Sequence, residues 1–469
     1  MNEQYKKLGK NTMWMAIGNF ASKLLSFFMV PLYTSYLTTA DYGVSDLITI
    51  TVSLLSPFLT LATSEGIIRF TLEKDSDKKD VFSFSIFIGV IGFCLLLTFS
   101  PILAPYTSFE QYYPLFLLYY VVSVLCLLFQ QFVKGLDHVR TYAISGFLGT
   151  AGTIIFNIVF LVFLNAGIEG YLYSMILGLA IPAMYLFIRE HLYRYFKNIL
   201  KVNRIFEKKF LLYCLPLVPN QICWWINNSS DKYIMNFYWG LSLTGVYSVS
   251  YKIPSILNVI STIFFSSWQI SAIDDFGSKK SKNFFANVYE MYFELYTIVA
   301  SFLILLIKVA AKILFAKDFF NAWPYAAILV LASMIQAMGT FVGTVYTTSM
   351  KSKMILYTTL LAAGVNTGLN FVLIPNYGAY GAAIATTIGY LALLIVRIFD
   401  SRRIFVFKIN YFRHFIVYTL LLVEVICICL NKGITSFAFS SILFLIVAFL
   451  NKQIVIKGIC FLKNKVKSR

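Results

Sequence analysis

The sequence predicts an all-α polytopic membrane protein with about fourteen transmembrane helices. Of its 469 residues, 59% are hydrophobic and only 13% are charged, and the mean hydropathy is +0.75. Soluble domains carry about 25% charged residues, so this composition excludes them. Apolar runs of about 20 residues, the length that crosses a bilayer as a helix, recur along the whole chain. Membrane β-barrels are excluded because their strands are short and alternate polar with apolar residues.

Short polar connectors separate the predicted spans. The spans lie near residues 12–37, 44–69, 81–104, 113–133, 141–164, 169–188, 210–230, 240–266, 284–307, 323–347, 354–375, 380–398, 413–430 and 436–450. The first run is too long for a cleavable signal peptide, and no small-residue cleavage site follows it.

The net charge of +18 is distributed unevenly among the connectors. If the N-terminus is inside, Lys and Arg concentrate in the cytoplasmic connectors and in the C-terminal tail. The opposite side holds few basic residues: Lys232, Lys308, Lys312, Lys317 and Lys432. By the positive-inside rule, both termini are expected to be cytoplasmic. The excess of basic residues is then explained by the orientation of the chain in the membrane and by contact with anionic lipids, so it does not indicate a nucleic-acid partner.

Two short motifs recur about 200 residues apart and indicate an internal duplication. Residues 40–45 (ADYGVS) resemble 243–248 (LTGVYS), and residues 165–170 (NAGIEG) resemble 376–381 (NYGAYG). An offset of six spans gives two halves with the same orientation, related by an axis along the membrane normal.

The duplication predicts four segments. They are an N-terminal six-helix bundle (1–188), a basic cytoplasmic linker (189–209), a C-terminal six-helix bundle (210–400), and two extra spans with a basic tail (401–469). The linker has helical apolar spacing, so an interfacial helix that tethers two moving halves is expected there.

Motifs of catalysis are missing from the sequence. It contains no GxxxxGK[ST], GxSxG or HExxH, and its connectors are too short for a soluble catalytic domain, so no enzyme is predicted. The seven cysteines and three histidines show no metal-ligand spacing, so no metal or cofactor is expected. A coupling ion, H⁺ or Na⁺, is left open.

The first span carries a cation near its middle, Lys23. A Lys at that depth is unfavourable by about 2.5–3.5 kcal/mol. Asn19, Lys23, Ser26 and Tyr33 share one helical face. Either this face lines a polar cavity, or Lys23 snorkels or pairs with an acid on a neighbouring helix.

Polar residues also follow a helical spacing in the seventh and eighth spans. Asn220, Trp224, Asn227 and Asp231 lie at i, i+4, i+7 and i+11. They either form interhelical hydrogen bonds, worth about 0.6–2 kcal/mol each, or line a cavity that binds sugar hydroxyls. Lys252 lies about as deep in the eighth span as Lys23 does in the first.

Several acidic residues lie in or near spans. Glu65 and Arg69 close the second span, where i, i+4 spacing permits either a local ion pair or contacts with a ligand. Glu290 and Glu294 would repel each other unless one is protonated or paired with a cation. Together with Glu424, they leave a role in proton coupling open.

Several of these motifs look like those of the prokaryotic oligosaccharide flippases of O-antigen, capsule and exopolysaccharide pathways. The likeness covers nearly the whole chain and rests on residues 43–44, 231–233 (DKY), 245–248 (GVYS), 315–323 and 378–383 (GAYGAA). It implies the fold of multidrug and toxin extrusion transporters, with two six-helix bundles around a central cavity.

A remoter similarity is to lipid II flippases. Their first span has a Ser-Arg-x-x-Gly-Phe setting, which here reads SKLLSF over residues 22–27. Their eighth span has a basic residue before a proline-containing turn, similar to Lys252-Ile253-Pro254. Lysine replaces arginine at both places and Ser26 replaces glycine, and Lys binds phosphate as a point charge.

The resemblance implies a flippase for undecaprenyl-diphosphate-linked oligosaccharide repeat units in the inner membrane of a prokaryote. Lys23 and Lys252 are then expected to bind the diphosphate. Polysaccharide polymerase and glycosyltransferases are the expected partner enzymes, and a monomer is expected. The alternatives are a cation-coupled drug antiporter of the same fold, a flippase for lipid II-type precursors, and a non-transporting membrane scaffold.

Overall fold

Helices account for the regular structure of this protein. The computed structural model describes residues 25–73, 76–197, 203–275, 281–349, 351–430 and 433–452. These ranges contain α-helices, short 3₁₀ turns and one π-helical segment, and no β-strand. The prediction of an all-α fold is confirmed.

The helices in the first part of the chain are α1 (Val30–Tyr36), α2 (Thr39–Leu59), α3 (Thr63–Leu72), α4 (Lys78–Leu103), α5 (Tyr113–Gly135), α6 (Val139–Asn157) and α7 (Gly167–Arg189). Those of the second part are α8 (Arg204–Cys214), α9 (Leu217–Ser250), α10 (Ser255–Asp275), α11 (Ser281–Leu305), α12 (Ile307–Leu314), α13 (Trp323–Thr348), α14 (Ser352–Ser401), α15 (Tyr411–Leu430) and α16 (Ile434–Leu450). A π-helical turn, Ile158–Phe163, continues α6.

Each predicted span overlaps a helix, the first of them through α1 alone. By length and hydropathy, the described residues hold nine helices that could cross a membrane, or up to ten if a bent pair counts as one span. One of the nine, α14, is a hairpin of two predicted spans merged across Gly378. The helices are thus compatible with the predicted number of spans, and the chain is a multi-pass membrane protein.

The start of α2 shows why a helix begins inside the first repeated motif. Thr38 has extended backbone dihedrals, and its side chain accepts a hydrogen bond from the Asp41 N–H at 3.1 Å. The Asp41 carboxylate accepts the Thr38 N–H at 3.1 Å in return. This capping box satisfies backbone donors that an unprotected helix end leaves without partners.

Glycines with positive φ make the tight turns between consecutive spans. Gly240 (φ 78°) divides α9, and Gly378 (φ 52°) divides α14. Gly167, at the position in the first repeat that corresponds to Gly378, has φ 54°. An L-residue with a side chain rarely adopts this conformation, so the repeated glycines mark equivalent turns.

The second span is not the single helix predicted for residues 44–69. It breaks after Leu59, and Leu61 and Ala62 both adopt left-handed backbone conformations with φ 51° and 53°. The backbone of Ala62 still donates to Pro57 O at 2.8 Å, which closes the turn before α3 begins.

The chain divides into two compact units that differ from the predicted segments. Unit 1 comprises Met1–Asn236 with Gly240–Gly245, and unit 2 comprises Phe237–Trp239 with Val246–Arg469. Most of the helix of the seventh span, which the sequence placed in the second bundle, packs inside unit 1, and the boundary predicted at residue 210 stays a prediction. The division into functional segments at 189–209 and 401–469 stays a prediction.

The linker is not one continuous interfacial helix. After α7 ends at Arg189, the chain forms a 3₁₀ turn at Leu192–Tyr195, and α8 begins at Arg204. His191 takes a left-handed conformation between the first two of these elements, which interrupts the helical path. The central part of the predicted helix, 198–202, lies outside the described residues.

A buried carboxylate fastens the linker to the start of α4. Asp80, which is 5% exposed, lies 2.5 Å from Lys197 Nζ. The Lys197 N–H also donates to Ser83 Oγ at 2.8 Å, and the hydrogen bond to Asp80 raises the pKa of Lys197. The linker is therefore held on unit 1.

Two glycines of the first repeated motif touch each other inside unit 1. A Cβ built on Gly43 would lie 2.3 Å from Leu241 O, and one on Gly245 would lie 1.8 Å from Thr39 O. Thr39 Oγ1 and Ser242 Oγ are 2.7 Å apart beside this contact. The motif thus recurs because backbone from each copy must approach backbone from the other.

Replacing Gly43 or Gly245 by Ala should lower the thermal stability of the purified protein. The added methyl group meets backbone, so the two helices must separate, at a cost of about 1–3 kcal/mol. Gly364→Ala is the control, because a Cβ there meets no atom within 4 Å. Equal melting temperatures for Gly43→Ala and Gly364→Ala would contradict this account of the contact.

Candidate functional site

The predicted residues of the first span are only partly described. Asn19 and Lys23 lie outside the described residues. Ser26 and Tyr33, which share their predicted face, both line a cavity in unit 1. That Asn19 and Lys23 also face a cavity stays a prediction.

Glu65 and Arg69 are both exposed on α3. Within the described ranges, no ion pair joins the two side chains. The Glu73 pKa is lowered first by a hydrogen bond from Lys209, at 2.9 Å, and also by the charge of Arg69. Contact of Glu65 and Arg69 with a ligand stays a prediction.

The polar stripe of the seventh span lies on the first arm of α9, residues 217–239. Asn220 and Trp224 are partly buried, whereas Asn227 and Asp231 are only 4% and 3% exposed. The Asn227 Nδ2 has no hydrogen-bond partner among the described residues. An unpartnered buried amide is rare, and it marks a place where a polar ligand or water would gain a hydrogen bond.

The predicted position of Lys232 is wrong. It was expected in an outer connector, but α9 continues to Gly240, and the Lys232 side chain is 11% exposed. Its Nζ lies 2.7 Å from the Oδ2 of Asp46 on α2, whose side chain is 20% exposed. The apolar run YIMNFYW after Lys232 was the signal that the span extends further.

Other polar contacts also join α9 to α2. The Trp225 Nε1–H donates to Ile50 O at 2.8 Å, and the hydroxyls of Thr51 and Tyr233 form a hydrogen bond. The Asp46–Lys232 pair is only partly buried, but removing one partner would leave the other charge uncompensated, so this pair adds to the constraint. These contacts fix the depth and rotation of the α9 stripe within unit 1.

A polar cavity of about 200 Å³ lies inside unit 1. Hydroxyl and amide side chains from four helical segments form much of its wall: Ser26, Tyr33, Gln130, Ser145, Thr150 and Thr153. No charged side chain is among the described residues that line it. Its chemistry suits a neutral ligand with several hydroxyl groups.

The cavity wall is built by close packing of α6 on α7. A Cβ on Gly178 would lie 1.9 Å from Thr153 Oγ1, so only glycine permits this approach. By contrast, a Cβ on Gly146 would meet no atom within 4 Å. Tyr33 receives a hydrogen bond from Asn157 Nδ2 at 3.4 Å and packs edge-on against Tyr171 at 5.0 Å.

Lys252 lies in unit 2, at the turn between α9 and α10. The helices before and after this turn are bent by 46°. The Lys252 side chain is partly buried, and its carbonyl accepts a hydrogen bond from Ser255 Oγ at 2.6 Å. The proline-containing turn expected from Lys252-Ile253-Pro254 is present, and it places this cation at a break in the helix.

Arg397 is a buried cation near the end of the predicted span 380–398. It is 2% exposed and donates from Nη1 to Gly339 O at 3.0 Å. Its Nε and Nη2 donate to the hydroxyls of Thr358 and Thr359, each at 3.2 Å. No carboxylate among the described residues forms an ion pair with it. Arg397 therefore braces α13 and both arms of α14.

Solved structures share this architecture at low sequence identity. An inward-facing multidrug resistance MATE family transporter of the MOP superfamily has a TM-score of 0.69 and 15% identity, covering 83% of this chain and 97% of that chain. The lipid II flippase MurJ, in an inward closed conformation, has a TM-score of 0.70 and 14% identity, covering 95% and 99%. A MOP superfamily transporter from Pyrococcus furiosus has a TM-score of 0.62 and 15% identity, covering 85% and 95%.

These similarities confirm the fold predicted from the sequence, that of the multidrug and toxin extrusion transporters. None of the curated proteins matches the chain. A family of polysaccharide biosynthesis proteins matches residues 8–269, a region that contains the polar cavity, the Asp46–Lys232 pair and Lys252. Because this match spans more than half of the 469 residues, the chain belongs to the polysaccharide biosynthesis protein family.

Proposed function

We propose that the protein is a flippase that moves undecaprenyl-diphosphate-linked oligosaccharide repeat units across the cytoplasmic membrane by alternating access. Membership of a polysaccharide biosynthesis family supports the pathway. The fold supports transport, since the similar structures include a lipid II flippase and MATE transporters in inward- and outward-facing conformations. The product would feed the synthesis of capsule, O-antigen or exopolysaccharide.

The polar cavity of unit 1, whose described lining carries no charged side chain, is the observation that carries this proposal. A sugar presents hydroxyls that need hydrogen-bond partners and an apolar ring face that packs on aromatic rings. The cavity supplies hydroxyls, the Gln130 amide and the Tyr33 ring. Its volume of about 200 Å³ is smaller than the ~300–1,000 Å³ of drug-sized sites, so it suits one sugar ring.

The diphosphate requires cations, and Lys23 and Lys252 are proposed to supply them. A phosphate that enters the membrane loses its hydration, and nearby ammonium groups offset that loss. Lys252 suits this role because the helix break beside it leaves the backbone irregular, as at other sites that bind polar ligands inside membranes. Asn19, Glu65 and Arg69 remain proposed contacts of the same headgroup.

A cation-coupled drug antiporter is the main alternative, because similar structures include multidrug transporters. A site for cationic drugs needs an acidic side chain. The described lining of the unit 1 cavity has none, which favours a neutral, hydroxyl-rich ligand. A scaffold without transport activity would tolerate changes in this cavity and in both lysines.

Filling the cavity should reduce transport without unfolding the protein. Gly146→Val adds an isopropyl group beside the cavity, at a position where a Cβ meets no atom within 4 Å. We expect lipid-linked repeat units to accumulate in cells that carry this variant, at normal protein abundance. Gly368→Val is the matched control, since a Cβ there also meets no atom within 4 Å. If cells with Gly146→Val make a normal amount of surface polysaccharide, the cavity is not part of the substrate site.

Neutralising Lys252 should block translocation but not insertion. With Lys252→Gln, we expect surface polysaccharide to fall by about tenfold or more, because a charge-assisted hydrogen bond of ~1.5–3 kcal/mol is lost. Lys252→Arg should retain partial activity, because the charge survives while its geometry changes. Lys353→Gln, at an exposed position of unit 2, is the control. If Lys252→Gln instead removes the protein from the membrane, and neutralising a nearby Glu restores it, Lys252 is a structural ion-pair member.

A further inference from the structure

A second cavity, of about 990 Å³, lies within unit 2. Its wall consists of one face of α11, the connector between α14 and α15 (residues 402–410), and the start of α15. The basic connector puts this end of the helices on the side that the positive-inside pattern predicts to be cytoplasmic. The described residues that line it include none of those proposed above to contact the substrate.

The α11 wall of this cavity is a polar stripe. It consists of Asn283, Asn287, Glu290 and Glu294, which share one face at i, i+4, i+7 and i+11. The sequence left open whether the two acids are protonated or paired with a cation. Arg413 of α15 pairs both, since its Nη1 donates to Glu294 Oε1 at 2.8 Å and its Nη2 donates to Glu290 Oε2. Both carboxylates thus have a cationic partner within the protein.

The connector wall follows from an alternation of buried and exposed residues. Phe405 and Phe407 are 9% and 8% exposed, whereas Val406 and Lys408 are exposed. Phe407 packs edge-on against Tyr289 of α11, with 5.5 Å between the ring centroids. Successive side chains of an extended segment point to opposite sides. The buried rings therefore fix the connector so that Val406 and Lys408 line the cavity.

Arg402 is the second cation of the connector wall. Its guanidinium lies over the Tyr411 ring at 5.0 Å from the centroid, and over the Phe399 ring at 5.4 Å. A cation–π contact positions a guanidinium without using its N–H groups as hydrogen-bond donors to an acceptor atom. Within the described ranges, no carboxylate forms an ion pair with Arg402 or with Lys408.

The charges of the lining favour an anionic ligand. The described lining contains three cations, Arg402, Lys408 and Arg413, and two carboxylates. A cationic ligand would have to displace Arg413, which already pairs both carboxylates. An anion instead gains the planar fork of Arg402 and the point charge of Lys408, and the Asn283 and Asn287 amides offer further hydrogen bonds.

The size and position of the cavity favour an amphiphilic anion over a small soluble one. Its volume reaches the upper end of the ~300–1,000 Å³ that is usual for drug-sized ligands, so a free phosphate would leave most of it to water. Apolar side chains continue from the cavity along α15. Tyr411 lines the cavity and is 43% exposed, and Phe412 and Phe415 are 76% and 70% exposed. A molecule that joins a phosphate group to apolar chains would contact both surfaces at once.

We propose that this cavity binds the phosphate headgroup of an anionic membrane phospholipid. The connector cations bind the phosphate oxygens, the α11 amides bind the glycerol of the headgroup, and the acyl chains leave along the exposed aromatic residues of α15. The cytoplasmic leaflet carries anionic lipids, and basic pockets between membrane helices at that surface bind such headgroups. The proposal does not depend on the proposed function, because the ligand is a lipid of the membrane and not the transported molecule.

The site is tested with a photoactivatable phosphatidylglycerol in phosphatidylcholine liposomes that contain the purified full-length protein. We expect crosslinks, mapped by mass spectrometry, within residues 283–294 and 402–411. The double variant Arg402→Gln/Lys408→Gln should reduce them about tenfold, because two charge-assisted contacts are lost. Arg204→Gln/Lys208→Gln is the matched control, since it removes two exposed cations from α8 in unit 1. Equal labelling of the cavity in the two double variants would overturn the proposal.

Competition distinguishes a lipid from a soluble phosphate compound. An excess of phosphatidylglycerol without the photoactivatable group should suppress the labelling. Glycerol 1-phosphate at the same concentration should not, because it lacks the acyl chains that rest on α15. Suppression by glycerol 1-phosphate would assign the cavity to a soluble ligand and refute the lipid assignment. Equal labelling by a photoactivatable phosphatidylcholine would show that the cavity does not select an anionic headgroup, which also contradicts the proposal.

A variant that changes no charge tests the cavity itself. Ala286 lines the cavity, so Ala286→Phe places a ring there and should reduce the labelling as the Arg402→Gln/Lys408→Gln variant does. In pure phosphatidylcholine both variants should melt with the wild-type protein, and added phosphatidylglycerol should raise the melting temperature of the wild type more than that of either variant. Undiminished labelling in Ala286→Phe would place the lipid outside the cavity. None of these readouts uses a transported substrate, so a failure here is distinct from a failure of the flippase proposal.

Discussion

A charge inside a membrane-spanning helix must find a partner, and the buried cations of this protein find theirs in different ways. Lys232 pairs with a carboxylate, at 2.7 Å from Asp46. Arg397 has three hydrogen bonds to hydroxyl and carbonyl oxygens instead. Arg413 is shared by two carboxylates. Because desolvating an ion without compensation costs several kcal/mol, these contacts fix how α2 meets α9, how α13 meets α14, and how α11 meets α15.

The same constraint separates structural polar groups from candidate functional ones. Groups with several protein partners, such as Arg397 with three hydrogen bonds, hold helices together. Groups that are buried without partners in the described structure need something else, whether a ligand, water or a proton. The Asn227 amide and the Glu424 carboxyl are in this second class. The first offers a neutral N–H donor, and the second offers a carboxyl oxygen. Under the proposed function, the cavity of unit 1, whose described lining carries hydroxyls and an amide but no charged side chain, suits sugar hydroxyls.

The sequence predicts the helical fold well because each span needs a run of about 20 apolar residues, which is easily seen in a sequence. The turns between spans need only a few residues, often with a glycine. The repeated glycines could also be identified from the sequence, because Gly43 and Gly245 occupy equivalent positions in the repeated motif. Lys232 was misplaced because a charge at a span end looks like a connector residue until its partner on another helix is known. The partner of Lys232 lies 186 residues away in the chain, and the two partners of Arg413 lie 119 and 123 residues away, separations that no local pattern reveals. The cavity of unit 1 depends on the packing of α6 on α7, which spacing alone does not give.

We propose that this protein carries a polyprenyl-diphosphate-linked sugar from one leaflet to the other. The most direct test is reconstitution of the purified chain into liposomes that contain a fluorescent polyprenyl-diphosphate disaccharide. A membrane-impermeant reagent that modifies the sugar then reports which headgroups face outward. We expect the modified fraction of the fluorescent lipid to rise from the fraction that initially lies in the outer leaflet to nearly all of it. A modified fraction that stays at the level of protein-free liposomes, together with export of a cationic dye by the same preparation, would contradict it and favour a drug antiporter.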